Sequence, residues 1–313
     1  MSAPRVVCLV GPTASGKTAL ALELAEALGG EIVSADSRQI YRRMDIGTAK
    51  PTPAERRRVP HHCLDLIEPE ESFDAARFRA VAMAAVADVH GRGRPALVVG
   101  GTGLWLRVLL RGLCPAPPRA PAIRAALRAL AGRRGLDELH RHLVAIDPVA
   151  AARLHPRDAV RVERALEVAF ASGRRLSEWQ AAHRFGEAPY DAFVIGLALE
   201  PRALEARIAA RARAMLEAGF ADEVRRLRAR GLSDTAPAWA SVGYREMRAH
   251  VDGACDGEAT LAAMVLATRR FAKRQRTWFR GEPDVVWRHP DAGRGQVLSE
   301  ATAFLARGER PAA

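Results

Sequence analysis

The stretch Gly11-Pro-Thr-Ala-Ser-Gly-Lys-Thr18 decides the fold of this chain. It matches the phosphate-binding pattern G-x-x-x-x-G-K-[ST], follows an apolar run from Arg5 to Val10 and precedes a helical pattern from Lys17 to Leu28. The pattern requires this strand, loop and helix context, which is also typical of the start of a parallel α/β sheet. The alternative interpretation is a tight turn that binds nothing.

The residue types in this loop suit a diphosphate. Glycine lets the backbone curl so that successive amides point at phosphate oxygens, and the helix N-terminus adds partial positive charge. Lys17 can reach further oxygens, and Thr18 can hold Mg²⁺, the cofactor that we predict. The predicted diphosphate site consists of Gly11, Pro12, Thr13, Ala14, Ser15, Gly16, Lys17 and Thr18.

Further strands and helices alternate along the first third of the chain. Glu31 to Ser34 and a short run at His62 to Leu66 read as strands, and Pro95 to Val99 is a continuous apolar run suited to a central parallel strand. The proline-rich stretch Cys114 to Pro121 then ends this pattern, because proline removes an amide donor and restricts the residue before it.

A helical block follows the prolines. From Ala122 to about Phe185 no strand pattern interrupts it, and Ala192 to Leu199 reads as a strand that returns to the sheet. Two apolar stripes are predicted in the block, one of Ile123, Leu127 and Leu130 and one of Val160, Leu166 and Phe170. We therefore predict an α/β fold with a P-loop parallel-sheet core domain (1–116 and 191–313), an all-helical insertion domain (117–190) and a disordered tail.

The composition bounds the class of protein. Lys plus Arg number 48 against 36 Asp plus Glu, a net charge of +12 that attracts polyanions, although a G+C-rich coding bias also enriches Arg. The four cysteines form no close pair, which argues against disulfides and zinc knuckles, and no apolar run is long enough for a signal peptide or membrane span. We expect a cytoplasmic monomer without membrane contact.

An acid stands at an unusual place relative to the phosphate loop. ATPases of this type usually carry an acid at the end of an apolar strand, but here Gly100-Gly101-Thr102 ends the best such strand. Asp36 follows the second strand instead, and the carboxyl ends of parallel strands share one edge of the sheet, so Asp36 and Thr102 should both face the loop. Asp36 as a turn cap and Thr102 as a helix N-cap are the alternatives.

The last predicted long helix carries a basic stripe. No acidic residue occurs from Thr268 to Arg280, which predicts a helix face that binds nucleic-acid phosphates. The alternative is a charged face in contact with water. Its basic side chains fall on one face and its apolar ones opposite. The basic residues are Arg269, Lys273, Arg276 and Arg280, and the apolar ones are Leu261, Val265 and Ala272.

Six ordered motifs together resemble the tRNA dimethylallyltransferases, also called tRNA isopentenyltransferases. The resemblance extends from near residue 5 to about residue 288, in the family's order and approximate spacing. The motifs are Gly11-Pro-Thr-Ala-Ser-Gly-Lys-Thr18, Asp36-Ser-Arg-Gln-Ile-Tyr41, Met44-Asp-Ile-Gly-Thr-Ala-Lys50, Gly100-Gly-Thr-Gly-Leu-Trp105, Val242-Gly-Tyr-Arg245 and Lys273-Arg-Gln-Arg-Thr-Trp278.

The resemblance implies a reaction and its residues. Dimethylallyl diphosphate in the phosphate loop would donate its prenyl group to the exocyclic amine of the adenosine immediately 3′ of the anticodon, with release of diphosphate. By this resemblance Asp36 is the general base, Arg211 contacts the diphosphate from the far side and Thr102 lies near the target base. We predict Asp36, Thr18 and Arg211 as the catalytic set, with tRNA and dimethylallyl diphosphate as partners.

The resemblance also implies contacts with the tRNA anticodon stem-loop, which the helical insertion would grip. At Arg38 and at the pair Ala240-Ser241 it does not extend to the residue type, and the chain lacks the Cys and His pairs of the zinc finger that some members carry. The implied contact residues are Asp36, Ser37, Arg38, Gln39, Thr102, Arg124, Val160, Arg161, Val162, Glu163, Arg164, Ala240, Ser241, Val242, Gly243, Tyr244, Arg245, Lys273, Arg274, Gln275, Arg276, Thr277, Trp278, Phe279 and Arg280.

Two other functions fit part of the sequence. A small-molecule P-loop kinase, or an adenylate isopentenyltransferase acting on a free nucleotide, would use the same loop. A non-enzymatic RNA-binding module would use the basic residues alone. The helical insertion and the basic stripe argue against the first alternative. The second predicts tight tRNA binding without release of diphosphate.

Overall fold

The structure, a computed structural model, describes residues 3–290 and 294–307. The predicted tail at 308–313 lies outside the described residues. Two compact units form, one of Met1–Leu110 with Ala188–Ala313 and one of Arg111–Glu187. The sequence predicts 117–190 for the helical insertion, a few residues later at each end.

The six strands belong to one parallel sheet of order β3-β2-β4-β1-β5-β6, which confirms the predicted α/β fold class. In chain order they are β1 (Arg5–Val10), β2 (Glu31–Ser34), β3 (His61–His62), β4 (Ala96–Gly100), β5 (Asp191–Leu197) and β6 (Val285–Arg288). The helices of the first unit are α1 (Lys17–Leu28), α2 (Pro53–Arg58), α3 (Ala75–Gly91), α4 (Gly103–Arg111, which ends at the first residue of the second unit), α10 (Pro201–Glu217), α11 (Phe220–Ala229), α12 (Tyr244–Val251), α13 (Gly257–Arg280) and α14 (Arg294–Ala306). A 3₁₀ turn spans Pro237–Ala240.

Strand β1 lies at the point where the connections of the sheet change direction. It pairs in parallel with β4, from Val6 opposite Ala96, and with β5, from Arg5 opposite Asp191. The connection through α1 leads from β1 past β4 to β2, and later strands lie on the other side of β1. A crevice therefore opens beyond the carboxyl end of β1, where α/β proteins bind ligands.

The core around the sheet follows from the apolar runs of its strands. Side chains of β1, including Val7 and Leu9, pack in one buried cluster with residues of α1 and α14 such as Leu24 and Phe304. A strand covered on both faces by helices needs apolar residues at nearly every position, as the run from Val6 to Val10 shows. No helix among the described residues combines the length and apolarity that crossing a membrane requires.

One strand differs from its prediction. The sequence predicts a strand from His62 to Leu66, but β3 contains only His61 and His62. The backbone of Cys63 and Asp65 adopts φ values of 62° and 53°, which belong to the left-handed region and end the pairing.

All the secondary-structure elements that the structure describes in the second unit are helices. They are α5 (Pro121–Arg134), α6 (Leu136–Ile146), α7 (Pro148–Ala151), α8 (Ala159–Ser172) and α9 (Leu176–His183). The predicted stripe of Ile123, Leu127 and Leu130 packs in the core of this unit.

The second stripe in this unit was predicted wrongly. Leu166 is buried, whereas Val160 is 74% exposed and Phe170 is 54% exposed. Val160 lies six residues before Leu166, a spacing that turns a helix by about 240°, so these two residues lie on different faces. Phe170 shares the face of Leu166 but lies in the last turn of α8, where it is exposed.

Candidate active site

The phosphate loop connects β1 to α1, as predicted. Gly11 has a φ of 144°, and a Cβ at this position would lie 2.9 Å from the carbonyl oxygen of Leu197, so a side chain does not fit. Gly16 (φ 95°) and Ala14 (φ 63°) also have left-handed backbones. These turns curl the loop around the N-terminus of α1, which begins at Lys17.

Lys17 is held inside this loop. Its Nζ donates to the carbonyl oxygens of Gly11 (2.9 Å) and Pro12 (2.7 Å). Burial lowers the pKa of Lys17 to about 8, nearby Asp36 opposes that shift, and nearby Arg211 adds to it. The ammonium is therefore a cation that an incoming anion would stabilise strongly.

A large cavity of about 1190 Å³ opens beside the loop. Its walls include the loop from Thr13 to Thr18, Asp36, Arg211 and the segment from Asp45 to Pro53. A smaller cavity of about 140 Å³ adjoins it and reaches residues on α13 and around Gly243. The residues that line both cavities are Thr13, Asp36, Thr48, Arg211 and Met215.

Asp36 is half-buried at this junction. Its Oδ1 accepts a hydrogen bond from the backbone N–H of Arg38 (2.8 Å), so the turn-cap interpretation is correct for one oxygen. Within the described part of the chain, no hydrogen bond occupies Oδ2. One carboxylate thus fixes its own turn and also presents a second oxygen at the boundary of the two cavities.

Thr102 joins the loop after β4 to the loop that carries Asp36. Its Oγ1 accepts from the backbone N–H of Ser37 (3.0 Å), and its own N–H donates to the carbonyl oxygen of Ala35 (3.2 Å). Thr102 also precedes α4, and its carbonyl accepts the first hydrogen bonds of that helix, but its hydroxyl binds Ser37, so the side-chain contact of an N-cap is not made. It lies beside Asp36 in the fold.

Arg211 differs from the many arginines that face water on this surface. It lies on α10 and lines both cavities, and it makes no hydrogen bond or salt bridge with any residue that the structure describes. Burial lowers the pKa of Arg211, and the negative charge of Asp36 opposes this shift. An unpaired guanidinium that lines the same cavity as the phosphate loop is suited to a fork-shaped contact with an anion.

Gln275 was predicted to contact tRNA, and the structure shows a role within the protein that the sequence did not predict. It is only 7% exposed. Its Oε1 accepts from the N–H of Thr13 (2.8 Å), and its Nε2 donates to the carbonyl oxygen of Gly101 (3.0 Å). The side chain therefore fixes the phosphate loop against the loop after β4, a function that no local sequence pattern could reveal.

Several other predicted contact residues are buried, although Ser241 and Gly243 among them line the smaller cavity, and their contact with tRNA stays a prediction. The buried ones are Val162, Glu163, Ser241, Gly243, Tyr244 and Phe279. In the helical unit Arg124 and Arg164 both bind Glu167, with N to O distances of 2.8 and 2.7 Å. Both charges are therefore paired within that unit.

The remaining predicted contact residues stay accessible in part or in full. Arg161 and Arg245 are exposed but have acidic neighbours, Asp158 and Glu246. Trp278 packs under the guanidinium of Arg107 at 4.5 Å. The others that are exposed or half-buried are Asp36, Ser37, Arg38, Gln39, Thr102, Val160, Ala240, Val242, Lys273, Arg274, Arg276, Thr277 and Arg280.

An acid from a neighbouring helix pairs with the first residue of the basic stripe on α13. Arg269 forms a salt bridge with Glu205 of α10 at 2.5 Å. Lys273, Arg276 and Arg280 have no such acidic partner within the described ranges. Among the residues of the predicted stripe, the positive charge without an acidic partner therefore begins at Lys273.

These features define a class: a P-loop α/β protein in which the cavity beside the phosphate loop adjoins a second cavity, and which carries a basic helix paired with acids only in part. Comparison with known proteins gives the family. The IPP transferase family model matches residues 39–282. A tRNA dimethylallyltransferase from Geobacter metallireducens is 48% identical over 96% of this chain and 97% of that protein. One from Anaeromyxobacter dehalogenans is 53% identical over 91% and 95%. The chain belongs to this family of prenyltransferases, which confirms the resemblance.

Solved structures agree with this assignment. A tRNA isopentenylpyrophosphate transferase from Bacillus halodurans is 36% identical, with a TM-score of 0.71 over 97% of both chains. A eukaryotic dimethylallyltransferase, solved in snapshots of its action on tRNA, is 25% identical, with a TM-score of 0.82 over 98% of this chain and 82% of that one.

Proposed function

We propose that this protein transfers a dimethylallyl group from dimethylallyl diphosphate to the exocyclic amine of the adenosine immediately 3′ of the anticodon in tRNA, and releases diphosphate. One observation carries the proposal within the known family. Asp36 and Arg211 line both the cavity beside the phosphate loop and the adjoining cavity. A base and a diphosphate-binding cation thus share the boundary where donor and acceptor would meet.

The leaving diphosphate gains negative charge as the allylic carbon–oxygen bond breaks. The loop amides, Lys17 and Arg211 are cations or donors that line the same cavity, so they would stabilise that charge more in the transition state than in the bound donor. Lys17 is held by loop carbonyls, and a phosphate oxygen would compete for its N–H groups. Breaking this bond is the step that these residues promote.

The acceptor amine is a weak nucleophile because its lone pair is delocalised into the adenine ring. It forms the new carbon–nitrogen bond with the allylic carbon and must lose one proton. Oδ2 of Asp36 has no hydrogen-bond donor among the described residues, so it can accept that proton while Oδ1 keeps its turn in place. An adenine stacked in an RNA loop would reach Oδ2 of Asp36 only after it leaves the stack of nucleobases.

The residues at the loop also suit Mg²⁺. Mg²⁺ takes few protein ligands and is bound together with substrate phosphates and water. Thr18 offers a hydroxyl at the start of α1 on the cavity wall, and the carboxylate of Asp36 lines the same cavity. Mg²⁺ held by Thr18 and the donor would offset part of the charge on the departing diphosphate.

The tRNA would bind through surfaces that carry unpaired positive charge. Lys273, Arg276 and Arg280 of α13 are suited to phosphates, and Arg38 and Arg274 line the smaller cavity where the target base would enter. The helical unit of Arg111–Glu187 would grip the anticodon stem. We further propose that the protein acts as a monomer in the cytoplasm, which sedimentation and cell fractionation would test.

The experiment uses labelled dimethylallyl diphosphate with Mg²⁺ and either unmodified tRNA or AMP. We expect label in the tRNA, at the nucleoside 3′ of the anticodon, and none in AMP. Label in AMP alone would favour an adenylate isopentenyltransferase. Tight tRNA binding without diphosphate release would favour an RNA-binding module.

A further inference from the structure

A buried carboxylate on α11 holds a loop that lines the active-site cavity. Glu223 is 4% exposed and accepts four hydrogen bonds. Its Oε2 accepts from the backbone N–H groups of Asp45 and Ile46, both at 2.8 Å. Its Oε1 accepts from the N–H of Gly47 (3.2 Å) and from the hydroxyl of Tyr244 (2.6 Å).

This contact has little freedom. A Cβ on Gly47 would lie 2.3 Å from the ring of Phe220 and 2.5 Å from the ring of Tyr244, so the loop fits only as glycine against these two aromatic rings. Burial and the charge of Glu223 raise the pKa of Tyr244 well above its usual value, which keeps the phenol protonated as a donor. Two of the motifs noted in the sequence, Met44 to Lys50 and Val242 to Arg245, therefore meet at one carboxylate.

The held loop leads directly to the turn of Asp36. Thr48, next after Gly47, lines both cavities. The carbonyl oxygen of Ala49 accepts from Nε2 of Gln39 (3.2 Å), and Oε1 of Gln39 accepts from the hydroxyl of Ser34 at the end of β2 (3.1 Å). Gln39 follows Asp36 by three residues, so one chain of contacts connects Glu223 to the turn that carries the base.

We infer that Glu223 is a positioning residue for the transfer reaction. It fixes the loop at Asp45 to Gly47 and, through Ala49 and Gln39, holds the Asp36 carboxylate at the boundary of the two cavities. This inference rests on the proposed function of Asp36 as the base. Glu223 itself lines neither cavity.

Two variants grade the perturbation. Glu223→Gln keeps the shape but leaves only one acceptor oxygen, so at least one pair of donors faces an NH₂ group. Tyr244→Phe removes one of the four hydrogen bonds and leaves the three backbone contacts. Asp222→Asn is the matched control, because Asp222 is the preceding residue of the same helix, is exposed and binds the side chain of Arg225.

The measurement is the single-turnover rate of prenyl transfer at saturating donor and tRNA. Misplacing a reacting group by about 1 Å can cost about 10²-fold, so we expect a loss of about 10- to 100-fold in Glu223→Gln and a smaller loss in Tyr244→Phe. Asp222→Asn should match the parent protein. A parent-like rate in Glu223→Gln would overturn the inference.

A double-mutant cycle with Asp36→Asn separates positioning from general destabilisation. If Glu223 acts through Asp36, Glu223→Gln should cost little further rate once Asp36→Asn has removed the base, so the two losses are strongly non-additive. Additive losses would overturn the inference. If Glu223→Gln does not fold, the same cycle with Tyr244→Phe gives the answer. Failure of the proposed function is distinct, because Asp36→Asn alone would then leave the rate unchanged.

Discussion

The Asp36→Asn variant keeps one contact of this carboxylate and removes its basicity. Oδ1 accepts from the N–H of Arg38 at 2.8 Å. An asparagine can make the same contact with its carbonyl oxygen. The amide takes this orientation because its NH₂ group cannot accept a hydrogen bond. The NH₂ group then occupies the place of the oxygen that would receive the proton from the amine. Asp36→Ala, in contrast, removes both functions.

The expected loss of rate is much larger than the expected loss of stability. General-base catalysis contributes about 10²- to 10⁴-fold, which corresponds to about 2.7 to 5.4 kcal/mol of activation free energy. The turn hydrogen bond only changes from a charged to a neutral acceptor, so the free energy of unfolding should fall by about 1 kcal/mol or less. A thermal midpoint close to that of the parent protein would show that the fold is retained.

The assay needs saturating donor and a pH of about 7 or below. The charge of Asp36 opposes the lowering of the pKa of Lys17, so its removal lowers that pKa further below about 8 and weakens donor binding at higher pH. Single-turnover transfer of labelled prenyl group to unmodified tRNA then reports chemistry, and filter binding reports tRNA affinity. A rate within about 3-fold of the parent would refute the role of Asp36 as base.

Three further perturbations test the cations. Burial lowers the pKa of Lys17 to about 8, so this side chain is charged below that pH and neutral above it. We therefore expect kcat/KM for the donor to fall as the pH rises through about 8. A flat profile of kcat/KM up to about pH 9.5 would contradict this. Arg211→Gln should lower kcat/KM about 10²- to 10³-fold without altering tRNA affinity, measured by steady-state kinetics and filter binding. Replacing Lys273 and Arg276 with Gln should reduce the slope of log K for tRNA against log salt by about 1.4 to 1.8. The control is Arg269→Gln, which should change the slope less because the charge of Arg269 is already paired. An equal change of slope in the control would contradict this prediction.

The phosphate loop was predictable because its determinants are local. The glycines, Lys17 and the flanking apolar run occur within about 25 residues, and each sets a backbone conformation or a charge independently of distant residues. The parallel sheet followed from the same kind of pattern, a strand and a helix at a time. The two-residue strand β3 was not predictable in its length, because the left-handed backbone of Cys63 and Asp65 leaves no simple pattern in the sequence.

Roles that depend on long-range contacts were missed. Gln275 stands in a basic stretch and was grouped with its neighbours, but its helix turns it inward to the N–H of Thr13, 262 residues away in sequence. The absence of acids from Thr268 to Arg280 indicated an unpaired stripe, whereas Glu205 approaches from another helix and pairs with Arg269. A segment can lie near a ligand while half of its side chains face the core.

The position of the proposed base, Asp36, has a steric cause at the end of β4. A Cβ on Gly100 would lie 2.2 Å from the carbonyl oxygen of Ala35, so no side chain, acidic or other, fits where many P-loop ATPases carry a metal-binding carboxylate. The same lack of a side chain lets the loop after β4 approach the loop after β2, where Thr102 accepts the N–H of Ser37. Because the two backbones meet there, the acid can come from β2 as Asp36. It then lies at the boundary with the second cavity, where a base can serve an acceptor amine.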